Sequence, residues 1–320
     1  MTLSETVGLI EALGFRAEYI PSAASAGIRL SDWSPWFQYE LEQLIDAYDA
    51  RAVVFDGSDP PAALGQVLAS RDWCRGVWIR RGMWAQGFDP SLQHSGDYDL
   101  IIEPGELAAA RDRGATVSRR NEAIQVDPIT LLDPRELLSR EAAAAAIGLD
   151  PERPATLIQL GSGENRNILN MLDKVVSGCH RHPDLQVAIA QWANTTVPLN
   201  LWPGVKILNG APLSLYYRAF DFSISAAGYN SFHEVISFGL PTIFVPNRAP
   251  GMDDQAARSG FAQDIGAAIE LREHELDELP EILDLLMQPA FRSVMQANCD
   301  QLTRKNGARA ASQAIGELVS

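Results

Sequence analysis

The chain has 320 residues, 46% of them hydrophobic and 21% charged, which suits a globular protein large enough for two hydrophobic cores. A formal net charge of −15 leaves no basic footprint for nucleic acid, although a small anion needs only a local cluster of N–H groups. The scattered Cys74, Cys179 and Cys299 fit neither a disulfide framework nor a metal site, and no apolar run approaches the ~20 residues of a membrane span. No basic-then-apolar leader opens the chain, so the expected compartment is the cytoplasm.

In chain order, Thr2 to Leu13 reads as the end of a strand running into a helix, and Arg16 to Pro21 as the next strand. Ser31 to Tyr48 carries Trp36, Phe37, Leu41, Leu44, Ile45 and Tyr48 at helical spacing, as a helix packed on a sheet does. Three short apolar runs come next as strands: Ala52 to Phe55, Gly76 to Ile79 and Asp99 to Ile102. Ligands of open α/β sheets bind beyond the carboxyl ends of the strands, and the polar residues there are Asp56, Asp59, Arg80, Arg81 and Glu103. Asp59 precedes two prolines and reads equally as a turn residue. Arg80 and Arg81, next to Gly82, suit an anion, and His94 sits in a polar loop as a surface histidine or a base.

The proline-punctuated Val126 to Pro134 marks a domain boundary, giving an N-terminal domain over 1–130 and a C-terminal domain over 131–320. An alanine-rich helix, Glu136 to Leu149, closes on Gly148. The strand Ala155 to Leu160 runs into Gly161-Ser162-Gly163, a glycine turn of the kind that lets backbone approach a phosphate, and then into the helix Asn167 to Cys179. Strands at Leu185 to Ala190 and Lys206 to Leu208 lead to a short helix, Leu213 to Ala219. Next comes the densest stretch: a buried strand, Phe222 to Ala226, then Gly228-Tyr229-Asn230-Ser231 opening a helix that Gly239 and Pro241 stop, then the strand Thr242 to Val245. The first N–H groups of such a helix lack partners and carry the positive end of its dipole, so an anion binds there. Asn230 and Ser231 also suit a plain N-cap. Further elements are expected at Ala256 to Phe261, Ala267 to Leu271, Glu273 to Met287 and Ala308 to Val319.

GYNSFHE, from Gly228 to Glu234, resembles the GWNSxxE core of the donor signature of UDP-sugar glycosyltransferases. GLPTIFVP and the Asp254-Gln255 pair are similar to the continuation of that signature, and to the same segment of the N-acetylglucosaminyltransferases that make lipid II, glycosyltransferase family 28. GSGENRNILN is similar to the nucleotide-side turn of the lipid II enzymes. Ala226 stands where the plant-type signature has histidine, and the stretch between Pro246 and Gln255 is longer than usual.

The resemblance implies an α/β fold of the GT-B type, two doubly wound Rossmann-like domains facing a cleft. Measured against such relatives, which lay their last helix back across the first domain, that domain is expected to lack their N-terminal strand and glycine turn. On the donor side it implies Gly161, Ser162, Gly163, Gly228, Tyr229, Asn230 and Ser231 about the diphosphate, with Arg166 and Asn167 beside them. Glu234 would hold the ribose, Leu208 backbone the uracil, and Asp254 and Gln255 the sugar. The implied reaction moves a sugar from a UDP-sugar co-substrate to a hydroxyl acceptor, with no metal and no other cofactor. Asp56, His94 or Glu103 would serve as base, and Arg80 and Arg81 would contact the acceptor or the diphosphate. Two alternatives stay open, a nucleotide-sugar-binding subunit that needs a partner and an epimerase or hydrolase on the same fold. A sheet deprived of one strand is expected to self-associate, and a lipid acceptor would bring the protein to the inner face of the membrane.

Overall fold

The computed structural model describes residues 1–2, 6–85, 87, 92–161, 168–191, 202–210, 212–249, 252–302 and 304–320. Its contacts divide into two units: Met1–Glu106 with Asp112–Ile129 and Asn306–Ser320, and Leu107–Arg111 with Thr130–Lys305. The main boundary falls at Ile129, but the units are not two consecutive lengths of chain, as the split at 130 expected. The final helix, Ala308–Val319, belongs to the first unit, where Ala311, Ala314, Ile315 and Leu318 pack on Val77 and Ile102. Gly307 admits this return, because its N–H donates to the Pro128 carbonyl at 2.9 Å and a side chain there would collide with Asp127.

The sheet of the first unit is parallel throughout: β1 (Ala52–Asp56), β2 (Arg75–Ile79), β3 (Leu100–Pro104) and β4 (Ile124–Val126), paired in that order. The helix Leu30–Ala47 turns Trp33, Phe37, Leu41 and Ile45 inward, four residues apart, as one apolar stripe. The strand expected at Arg16 to Pro21 is reduced to a single parallel bridge between Thr2 and Tyr19, since no longer partner lies beside it among the described residues.

The described residues of the second unit carry six parallel strands: β5 (Ala155–Gln159), β6 (Gln186–Gln191), β7 (Lys206–Asn209), β8 (Phe222–Ser225), β9 (Thr242–Phe244) and β10 (Ala268–Glu270). Their order is β10-β9-β8-β5-β6-β7, the doubly wound Rossmann arrangement, which reverses direction between β5 and β8. Every residue of β5 and β8 is buried, as parallel strands covered on both faces require. The expected helix Glu273 to Met287 is two elements, a 3-10 turn over Glu273–Glu278 and a helix over Leu279–Leu286. Pro280 lacks an N–H, a lack the start of a helix tolerates and its interior does not.

Candidate functional site

The reversal point between β5 and β8 is where a doubly wound sheet binds its ligand. The Ala226 N–H donates to the Gln159 carbonyl at 3.0 Å, so both strands end level. Ala226, Ala227 and Gly228 then lead into the helix Tyr229–Ser237. Gly228 is extended, with φ −64° and ψ 157°, and offers no capping side chain; the first turn holds no acid. The first helical bond runs from the Phe232 N–H to the Gly228 carbonyl at 2.9 Å, which leaves the N–H groups of Asn230 and Ser231 turned out of the helix end. Asn230 is exposed and Ser231 half-exposed. This end is therefore open to an anion, with the dipole in its favour. After β5, Gly161 takes φ +94°, a conformation that glycine adopts without strain. Ser162, Gly163, Arg166 and Asn167 lie outside the described residues.

One turn into the same helix, Glu234 is half-buried and accepts a hydrogen bond from Ser214 Oγ at 3.2 Å. Burial raises its carboxyl to about 7, against the opposing pull of the Ser214 hydroxyl and a Leu131 backbone donor. Ser214 sits on the 3-10 helix Leu213–Ala219, as does Tyr217, whose phenol is raised by burial and by Glu234. Gln159 Nε2 donates to the Tyr217 oxygen at 3.1 Å, which joins that helix to the end of β5.

The helix Gln255–Asp264 supplies the third edge. Asp254 caps it, its Oδ1 accepting from the Ala257 N–H at 3.0 Å. Gln255 is buried; its Oε1 accepts from the Asn247 N–H at 3.0 Å and its Nε2 donates to Asp253 Oδ1 at 3.3 Å. That Nε2 lies 3.8 Å from where a Cβ on Gly228 would stand, so the acid–glutamine segment does reach the glycine turn. Beneath the turn, the fully buried Arg258 donates to the Ala227 carbonyl at 3.2 Å, pairs with Asp253, and places its guanidinium 5.7 Å from the centre of the Tyr229 ring.

Tyr229 differs from its expected place. Its ring is buried 4.2 Å from that of His233, which leaves only its backbone at the turn. His233 Nδ1 donates to the Tyr229 carbonyl at 2.7 Å while Nε2 accepts from the Leu107 N–H at 3.2 Å, a pair of bonds that only the neutral ring makes. Leu208 lies near the end of the outer strand β7, its side chain buried.

In the first unit the proposed base and anion contacts separate. Arg80 is fully buried, donating to Ser95 Oγ at 3.3 Å, Glu122 Oε2 at 3.2 Å and the Arg119 carbonyl at 2.9 Å. Glu103 is buried 3.6 Å from Arg80 and 3.3 Å from Arg120, and Arg120 also holds Asp112 at 2.8 Å. Both residues thus belong to an interior ion network and not, as expected, to a ligand-facing rim. Asp112 accepts from the N–H groups of Met83 and Gly114 at 3.3 and 2.8 Å, fixing a loop in which Met83 takes φ +59°. Asp56 accepts two bonds from Arg81 at 3.0 and 3.1 Å, and His94 Nδ1 lies 3.0 Å from Asp97 Oδ2.

Sequence reasoning missed Ser214, Arg258 and Asn247. Each acts through a partner distant in sequence or on backbone, and Arg258 carried no signal beyond its place three residues after Gln255.

The fold defines an architecture. Two all-parallel Rossmann-like units are the architecture of the GT-B glycosyltransferases, and solved structures agree. A MurG of Acinetobacter baumannii aligns over 97% of this chain and 87% of its own, at TM-score 0.56 and 15% identity. A UDP-GlcNAc 2-epimerase of Neisseria meningitidis, bound to UDP-GlcNAc, aligns over the same shares at TM-score 0.66 and 14% identity. Residues 174–314 match the family model of the glycosyltransferase family 28 C-terminal domain, so the resemblance read from Gly228 to Gln255 holds. A UDP-N-acetylglucosamine–N-acetylmuramyl-(pentapeptide) pyrophosphoryl-undecaprenol N-acetylglucosamine transferase of Saccharopolyspora erythraea is 24% identical over 67% of this chain and 56% of its own length. The Nocardioides sp. protein of the same name is 31% identical over 43% of this chain and 39% of its own. The chain thus matches about half, or less, of the length of these curated relatives.

Proposed function

We propose that the chain binds a nucleotide-sugar, UDP-linked, in its second unit and transfers the sugar to a hydroxyl acceptor. The observation that carries this reading is the uncapped helix end at Gly228, with Glu234 on the same helix and Gln255 beside the turn. In this reading the N–H groups of Asn230 and Ser231 hold the diphosphate, Glu234 accepts from the ribose hydroxyls, and Asp254 and Gln255 meet the sugar. As the bond to the sugar breaks, negative charge grows on the departing diphosphate. Fixed N–H dipoles at the helix end stabilise that charge with little reorganisation, and the reading requires no metal ion. The acceptor hydroxyl must lose its proton to a base. Asp56 and His94 keep partly exposed side chains for that task, whereas Glu103 is enclosed between two arginines.

Calorimetry with UDP tests the donor site. Glu234→Ala is expected to weaken binding by about 1–3 kcal/mol, the usual loss of hydrogen bonds to a charged group. Equal affinity in a folded variant would remove Glu234 from the site. The likeness to a 2-epimerase supports a second reading, in which the same donor pocket serves a reaction without an acceptor. Incubation with UDP-GlcNAc alone, monitored by NMR, separates the two: a transferase without acceptor leaves the donor intact, while an epimerase converts part of it to its epimer and a hydrolase releases the sugar.

A further inference from the structure

The helix Gln255–Asp264 opens on hydrogen bonds in which each group has one allowed role. Gln255 Oε1 faces the Asn247 N–H, which only donates, and Nε2 faces the Asp253 carboxylate, which only accepts. Turning the amide end for end would set donor against donor and oxygen against oxygen, so these two partners settle its direction. Both partners are fixed in turn. Asn247 follows closely on the sheet, where the Val245 N–H donates to the Ser225 carbonyl at 2.8 Å, and its own Oδ1 accepts from the Ala249 N–H at 3.0 Å. The second oxygen of Asp253 pairs with the fully buried Arg258, which also donates to the Ala227 carbonyl at 3.2 Å. Asp253 thus stands between an arginine under the glycine turn and an amide beside it.

This direction decides what the amide recognises. Among the described residues, Gln255 Nε2 is the atom that comes within 4 Å of where a Cβ on Gly228 would stand, at 3.8 Å. The nitrogen carries two hydrogens, and Asp253 Oδ1 takes one of them. We propose that Asp253, held by Arg258, is a positioning residue that keeps Gln255 a hydrogen-bond donor toward the glycine turn, so that the site selects a sugar with an acceptor oxygen there. The proposal rests on the reading that Gln255 meets the sugar of a nucleotide-sugar. Asp254 beside it has the opposite polarity, a carboxylate with one oxygen already engaged by the Ala257 N–H at 3.0 Å. A sugar hydroxyl both donates and accepts, so an acceptor next to a fixed donor matches it. A deoxy sugar leaves such a pair unmatched and is rejected.

The test uses the 320-residue chain labelled with nitrogen-15. Proton–nitrogen NMR of the Gln255 side-chain amide reads the polarity directly: UDP should leave both protons in place, and UDP-GlcNAc should move one of them downfield. In calorimetry, Asp253→Asn should weaken UDP-GlcNAc roughly tenfold and UDP less than about twofold, since the bond from Arg258 to Ala227 is kept. Asparagine has one oxygen where the carboxylate has two, so it cannot serve Arg258 and Gln255 together. Gln255→Glu leaves Asp253 and Arg258 in place but has no N–H; it should show the same split and covers the case in which Asp253→Asn misfolds. Equal weakening of UDP and UDP-GlcNAc overturns the proposal and makes Asp253 a support of the fold. Binding of UDP-GlcNAc that moves neither amide proton overturns it as well. Failure of the unmodified chain to bind UDP overturns the donor reading itself, and this inference with it.

Discussion

The two units use the same parallel α/β construction and treat charge and edges in opposite ways. Among the described residues the second unit has six strands, buries β5 and β8 completely, and brings polar groups to one helix end at the reversal point. Among its described residues the first unit has four strands, an outer strand with no buried residue, and a charge cluster, Arg80–Glu103–Arg120–Asp112, turned inside. Charges at strand ends are therefore not equivalent. The turn at Gly228 leaves backbone donors directed outward, while the charges of the first unit consume one another.

The widest separation should come from removing each unit's buried arginine. Arg80→Met leaves buried Glu103 with Arg120 alone inside the first unit, and Arg258→Met takes from Asp253 its arginine and from the Ala227 carbonyl a donor in the second. Each is expected to cost about 3–5 kcal/mol, read by urea unfolding. Only the second should also lower UDP affinity, because Arg258 supports the turn that would bind phosphate. Loss of UDP binding in a folded Arg80→Met protein would break the distinction.

Gly228→Asp sharpens the contrast with less disturbance. The backbone there is extended with negative φ, and the nearest atom to a new Cβ is Gln255 Nε2 at 3.8 Å. An aspartate at that cap should change stability by no more than about 0.5 kcal/mol. It would fill the helix end with negative charge and should reduce UDP affinity by roughly tenfold or more, about 1.4 kcal/mol. Unchanged affinity would move the phosphate elsewhere.

The smallest effect is a pH dependence. The Glu234 carboxyl is raised to about 7 in the folded protein, above its ordinary value, so burial favours the protonated form. Its contribution to stability is greatest below the ordinary carboxylate range and declines as pH rises toward 7. Ribose hydroxyls favour the ionised acceptor, so UDP affinity should run the other way and rise by about tenfold between pH 6 and pH 8. Glu234→Gln should flatten that rise in calorimetry, apart from the phosphate's own titration.

Much of the second unit was legible in the chain because its signals are local. A strand buried on both faces must be an apolar run, as Phe222 to Ser225 is, and a turn with φ +94° favours glycine, as at Gly161. Gly228 before a helix with Gly239 after it marks both helix ends without reference to anything distant. The alanine-rich helix shows the same economy, with Ser139 capping its start and Gly148 its end at φ +71°. What tertiary structure decided are the partnerships across long stretches of chain. Arg80 and Glu103 look alike as strand-end charges whether they face solvent or each other, and only the parallel pairing of β2 with β3 sets them together. Arg258 reaches Ala227 across 31 residues, and the last helix finds the first unit only because Gly307 tolerates the backbone of Asp127. Side-chain chemistry sets which groups can pair; the register of the sheets and the return of the chain choose which of them do.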